Sequence, residues 1–475
     1  MRLLSAPVFL ACALASACSG PTVRPPETPP ANPTTAIVGA NLWDGTGRAP
    51  VPNAVTLVRG DRILCAGSAG ECPVPEGARV IDAQGQYLIP GLVDSHVHLL
   101  FLVNGSAGQE LALDLRDLLA QGVTTVRDMG NDPAALLSRV RALGAAPRVY
   151  AMQLVAGRRF FFNGFRGTET SRGVVYRQPP ALTMQRLGWR PLMFLSEDDP
   201  AHVIEEAREA GAIGLKLYAQ LDSLAVRRLT EAAHLAGMPV WGHAWLQPTS
   251  VLEESMAGME GVVHAAGLAG ELYTVAERDS LVNEGDLQTA TAKVATVGAA
   301  HDPRVLAALD AMARRGTFFE PTLDAVRHSV ASYDARSRRI PSIQEDYARA
   351  AARFGVEVTR EAVKRGVPIS AGSDHVAYGP VRDRASLYGE LQFLVDSIPM
   401  SPTAALLAAT RDAARAIGGE AAERVGTIEA GRYADLVLLS KDPLEDIRNL
   451  ESVELVMQSG RLWRPGQLRS GIAMK

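Results

Sequence analysis

The chain has 475 residues, of which 47% are hydrophobic and 21% charged, a length and balance that exclude a small module, a low-complexity chain and an intrinsically disordered one. Its 48 basic and 52 acidic side chains leave a formal charge of −4. No broad positive field is available for nucleic acid or an anionic membrane surface, so a small-molecule substrate is the default partner.

In the opening MRLLSAPVFLACALASAC, Arg2 precedes a short apolar run, and the small residues Ala15-Ser16-Ala17 stand directly before Cys18. The run is too short to span a bilayer permanently and reads as an export signal over residues 1–17. Small residues before a cysteine resemble a bacterial lipoprotein processing site, which implies lipidation at Cys18; plain signal cleavage is the alternative. Residues 18–34 carry SGPTVRPPETPPANP and read as an extended Pro-rich tether. The expectation is a periplasmic, outer-membrane lipoprotein that meets the membrane only through its N-terminal lipid, with homo-oligomer formation left open.

From residue 35 to 88, short β-branched runs such as AIVGANLWDG and AVTLVRGDRILCAG are broken by Gly, Asn and Asp, which is strand and turn chemistry. Residues 426–475 have the same texture. The two ends are expected to build one small antiparallel β-domain of sandwich type. Cys65 and Cys72 lie inside it; an oxidising compartment allows them to pair, and two unpaired small buried residues are the alternative.

Between residues 89 and 425, apolar strand-like runs (VTTVRD, RVYAMQ, AIGLKLY, MPVWGHA, EGVVHAAG, GTFFEPTL, VPISAGSDH) alternate with amphipathic helical stretches such as PAHVIEEAREAG. Such alternation predicts a parallel α/β sheet, and the length suits a (β/α)8 barrel of TIM type inserted between the two halves of the β-domain. An open doubly wound sheet is the other architecture considered.

The strongest local signal is Gly91-Leu92-Val93-Asp94-Ser95-His96-Val97-His98. Strand side chains alternate faces, so His96 and His98 point the same way at the carboxyl end of a barrel strand, where two imidazoles can grip one metal ion. Lys216, His243, His264 and Asp374 stand at the ends of later strands. A lysine inside a barrel is costly to bury as a cation and needs an acidic partner or chemical conversion. Tyr218, two residues beyond Lys216, can face the same side and hold an oxyanion, with packing as an equal alternative. Arg158, Arg159 and Arg166 lie in a long loop after the third strand, where they are candidates for clamping a substrate carboxylate. His375 is a candidate partner of a metal ligand, and Asp128 reads as a structural group.

In this order, the paired histidines, the strand-end lysine, two single histidines and the late aspartate resemble the amidohydrolase superfamily, in particular its imidazolonepropionase-like and bacterial prolidase–dipeptidase branch. The ending TRDAARAIG followed by VGTIEAGRYADLV is similar to that group as well. The resemblance implies two divalent metal ions, usually zinc: His96, His98 and Asp374 on one, His243 and His264 on the other, and a carboxylated Lys216 bridging them. Two such cations lower the pKa of a shared water towards neutrality, the hydroxide attacks an amide carbonyl, and Asp374 acts as general base and acid. The expected function is therefore cleavage of an amide or peptide C–N bond, in dipeptides or N-acyl amino acids. A mononuclear cyclic-amide hydrolase or deaminase of the same superfamily and a non-catalytic ligand-binding lipoprotein are the competing readings.

Overall fold

The structure, a computed structural model, describes residues 34–100, 107–158, 160, 190–244, 246–280, 298–328, 343–376 and 386–470. The signal-like segment, Cys18, the tether, Arg159 and Arg166 lie outside these residues. The chain enters with strands β1 (Thr35–Leu42), β2 (Val51–Arg59), β3 (Arg62–Gly67), β4 (Arg79–Asp82) and β5 (Tyr87–Pro90). Cys65 of β3 is disulfide-bonded to Cys72, with the two Cα atoms 5.8 Å apart. That spacing is the ordinary one for a bridge.

A second sheet is built from β6 (Leu92–His98), β7 (Val123–Asp128), β8 (Arg148–Ala156), β9 (Leu192–Met193), β10 (Gly214–Leu217), β11 (Val240–His243), β12 (Gly261–Val263), β13 (Phe318–Glu320) and β14 (His375–Val376). All these pairings are parallel, in the order β13-β12-β11-β10-β8-β7-β6-β14 with β9 beside β8. Every residue of β7 and β10 is buried, as expected of parallel strands covered on both faces. Helices cover the outside. The helix Ser223–Leu235 illustrates why they form: Asp222 caps it by accepting from the Ala225 N–H, and Val226, Leu229 and Ala233 supply its buried stripe.

The sheet curls, and one further segment bonds to both of its ends. Phe319 N–H donates to Pro368 O at 2.8 Å and Ser370 N–H to Phe319 O at 3.0 Å, while Ser95 N–H donates to Ala371 O at 3.2 Å and Asp374 N–H to His96 O at 2.9 Å. Residues 368–376 thus lie between β13 and β6. Below, the helix Arg411–Ile417 offers Ala416 O to the Arg127 Nη1 at 3.0 Å and to the Trp241 Nε1 at 3.2 Å. The TRDAARAIG motif therefore covers the floor of the curled sheet.

The chain returns to the first sheet through β15 (Leu436–Leu439), β16 (Val453–Gln458) and β17 (Arg461–Trp463). Both ends of the chain share one sheet, ordered β17-β16-β15-β5-β1-β2-β3 with β4 beside β1. It differs from the antiparallel expectation because β1 runs parallel to β4 and β5. The pairing joins its eight strands in one connected sheet. This sheet also takes in Pro90, two residues past the expected boundary, since β5 is the rung between β1 and β15.

Candidate metal centre

His96 and His98 stand at the carboxyl end of β6 with their Nε2 atoms 3.3 Å apart. Asp374 reaches them from the segment bonded to β6, its Oδ1 lying 3.4 Å from each Nε2. These three residues offer ligand atoms within 4.8 Å of one another and form the tight cluster among the described residues. His264 approaches from the end of β12, its Nδ1 3.9 Å from Asp374 Oδ2. The His243 ring, ending β11, lies 4.6 Å from the His264 ring, and the Tyr218 ring lies 5.2 Å from that of His243. Asp374 and His264 hold left-handed backbone conformations, with φ of 53° and 72°. So do Gln220, Gln247 and Thr322 on neighbouring strand-end loops. Non-glycine residues in that region are strained, and such strain gathers at functional sites.

Lys216 is 1% exposed, and its Nζ has no hydrogen-bond partner. Burial, with Arg127 adding to it, pushes the amine down to about 7 against the opposing pull of Glu320 and Asp374. An amine buried without a hydrogen-bond partner is an orphan polar group and, in its neutral form, a nucleophile. Burial likewise pushes His96, His243 and His264 well below the ordinary histidine range, leaving neutral imidazoles with a lone pair to offer. Burial alone would raise Asp374, but His96 and His98 outweigh it and hold the carboxylate below its usual range. A set of neutral imidazoles, an ionised carboxylate and an unpartnered amine fits a cationic group at this place.

Residues the sequence did not single out complete the surroundings. Glu320, fully buried at the end of β13, has Oε1 2.8 Å from His96 Nδ1, and its Oε2 accepts from Arg127 Nη2 at 3.1 Å and from the Ser95 hydroxyl. Arg127, equally buried, lies over the Trp241 ring with its guanidinium carbon 3.7 Å from the centroid. His264 Nδ1 and the Thr322 hydroxyl are 2.8 Å apart. Asp94 accepts from the Ser373 N–H at 2.9 Å and the Ser373 hydroxyl at 2.5 Å, tying β6 to the segment that carries Asp374. The only sequence signal for Glu320 was its place ending the apolar run GTFFE, which many strand-end acids share.

The other candidates separate. His375 Nε2 lies 2.9 Å from Asp114 Oδ2, in a buried pair on the helix side of the sheet. Asp128 accepts from the Leu99 and Asn131 N–H groups at 2.9 and 3.0 Å, the structural role expected of it. Arg158 is exposed just beyond β8.

The sequence profile of the amidohydrolase family matches residues 87–463, which contain both histidine pairs, Lys216 and Asp374. The chain belongs to the amidohydrolase family. This amidohydrolase is a hydrolase acting on carbon–nitrogen bonds, so the non-catalytic reading is set aside. It is 27% identical over 423 residues to the imidazolonepropionase of Symbiobacterium thermophilum, covering 82% of this chain and 85% of that one. It is 34% identical over 110 residues to the ochratoxinase of Aspergillus niger, covering 23% of this chain and 21% of that one. In fold it is similar to a Xaa-Pro dipeptidase solved with methionine in its active site, with a TM-score of 0.67 and 20% identity over 90% of this chain and 99% of that one. The structure of the A. niger ochratoxinase is similar too, with a TM-score of 0.67 and 20% identity over 91% of this chain and 95% of that one.

Proposed function

We propose that this amidohydrolase is a binuclear metal-dependent hydrolase that cleaves the amide or peptide bond of dipeptides or N-acyl amino acids in a closed (β/α)8 barrel. The observation that carries the reading is the convergence of His96, His98, His243, His264 and Asp374 around the buried, unpartnered Lys216 amine. In this reading His96, His98 and Asp374 would hold one ion, His243 and His264 would hold the other, and Lys216, carboxylated on Nζ, would be a ligand shared by both. When bound, divalent ions such as zinc supply an ionised water near neutral pH and polarise the carbonyl under attack. The Asp374 carboxylate takes the proton of the attacking water and delivers it to the leaving nitrogen. Tyr218, beside His243, donates its hydroxyl to the developing oxyanion. Arg158, Arg159 or Arg166 is the candidate to receive a substrate carboxylate.

Elemental analysis of purified protein tests the centre, with about two divalent ions expected per chain. A hydrolysis screen over dipeptides, N-acyl amino acids and cyclic amides tests the substrate class, and silence on the first two classes would sink it. The second reading, a mononuclear cyclic-amide hydrolase, is favoured by the three-residue limit of the tight cluster and by the length of the match to an imidazolonepropionase. It expects one ion per chain and a Lys216→Ala variant that still turns over.

The same proposal includes export and lipidation at Cys18. Its test is membrane fractionation: the full-length chain is expected with the membranes, and Cys18→Ala in the soluble periplasmic fraction.

A further inference from the structure

We infer that Glu320 is a positioning residue that sets which ring nitrogen of His96 carries the proton, and that Arg127 fixes which Glu320 oxygen faces that ring. The inference rests on the metal reading above for its purpose, and on geometry alone for its mechanism. Glu320 Oε2 faces the Arg127 guanidinium and the Ser95 hydroxyl, which leaves Oε1, 2.8 Å from His96 Nδ1, as the acceptor: in this inference Nδ1 donates and Nε2 carries the lone pair. That bare Nε2 is the atom 3.3 Å from His98 Nε2 and 3.4 Å from Asp374 Oδ1. The proton is thus parked on the far side of the ring from the cluster.

The carboxylate is held on both of its oxygens. Oε1 serves His96, while Oε2 accepts from Arg127 Nη2 and from the Ser95 hydroxyl. Arg127 is itself immobilised, since Nε donates to Ser95 O at 2.7 Å, Nη1 donates to Ala416 O, and its face covers Trp241. Gly372 closes the arrangement from above: a Cβ there would lie 2.5 Å from His96 Cβ and 2.7 Å from Glu320 Cδ. Buried histidine ligands commonly donate their second nitrogen to a carboxylate, and removing that partner costs about 10- to 100-fold in metal affinity.

The chain of donors makes a specific forecast for Glu320→Gln. An amide has one acceptor oxygen, and Arg127, which can only donate, claims it, whereas the Ser95 hydroxyl can accept there and donate to Ala371 O at 2.9 Å. The amide NH2 must then face His96 Nδ1, which inverts the ring to the Nε2–H form and turns a proton towards the cluster. Glu320→Gln is therefore expected to damage the site although it conserves volume. Adding Arg127→Met frees the amide oxygen to turn back to His96 and should restore the original tautomer.

The experiment combines two readouts on the full chain labelled with 15N-histidine. In metal-free protein the ring nitrogen shifts of His96, assigned by His96→Asn, report the tautomer; zinc affinity is measured by competition with a chromophoric chelator. Wild type is expected as the Nδ1–H form, Glu320→Gln as the Nε2–H form with about 10- to 100-fold weaker zinc binding, and the Arg127→Met, Glu320→Gln pair restored in tautomer. Glu320→Ala serves where either variant fails to fold, and it should lose the single Nδ1–H state. A folded Glu320→Gln that keeps the Nδ1–H form and wild-type zinc affinity overturns the inference. A wild type that keeps its Nδ1–H form, loses it on substitution, and binds no zinc would leave the positioning intact and refute the metal reading instead.

Discussion

Gly372→Ala puts the geometry of the centre to a direct test. The added methyl would stand 2.5 Å from His96 Cβ and 2.7 Å from Glu320 Cδ, whereas carbon atoms pack at roughly 3.5–4.0 Å. The shortfall is therefore about 1 Å. Neither neighbour can swing aside: both side chains are fully buried, and each holds the other through the Nδ1–Oε1 hydrogen bond. Overpacking of this kind costs about 1–3 kcal/mol. Displacing a reacting centre by about 1 Å costs on the order of 10²-fold in rate. The assay is thermal unfolding of metal-free protein, zinc affinity by chelator competition, and kcat/KM on the best substrate from the screen. Gly144→Ala is the control, because nothing lies within 4 Å of its added Cβ. Should Gly372→Ala match Gly144→Ala in stability and wild type in zinc affinity, the packing of Gly372 on His96 would not bear on the centre.

Three further outcomes are expected. Lys216→Ala should retain the fold, since it removes an unpartnered buried amine, yet drop the metal content from two ions towards one and reduce kcat by at least about 10²-fold; unchanged content by elemental analysis would refute the bridging role. Burial raises Glu390 to about 8 from the ordinary 4.5, so the folded chain binds a proton that the unfolded chain releases between those values. Stability from this group is full below about pH 4.5 and is lost as pH rises through about 8, so Glu390→Gln should melt higher than wild type at pH 9 and much closer to it at pH 5; equal melting differences at both pH values would contradict this. Replacing Cys65 and Cys72 by serine opens a loop closed over a sequence separation of 7, which should cost about 2 kcal/mol in denaturant unfolding, and mass spectrometry should find both thiols blocked to alkylation until reduction.

The residues that announce themselves in the sequence are those whose chemistry depends on local spacing. His96 and His98 face one way because a strand alternates sides, and the β/α alternation from Val123 onward is a matter of periodicity, so both are visible without coordinates. The floor motif around Arg411–Ile417 was equally visible, though not its place: only folding sets the Ala416 carbonyl beneath Arg127 and Trp241. Glu320, Arg127 and Gly372 show why the rest was hidden. Glu320 lies 224 positions from His96 in the chain, and nothing in the run GTFFE distinguishes an acid that orients an imidazole from one that faces water. Its role exists only because curling of the sheet brings the end of β13 within side-chain reach of β6, and the low dielectric there obliges each buried charge and proton to find a specific partner. The direction of β4 and β5 relative to β1 was hidden for the same reason. Strand-forming residues state that a strand will form, while the side on which it pairs is decided by how the whole sheet buries its faces.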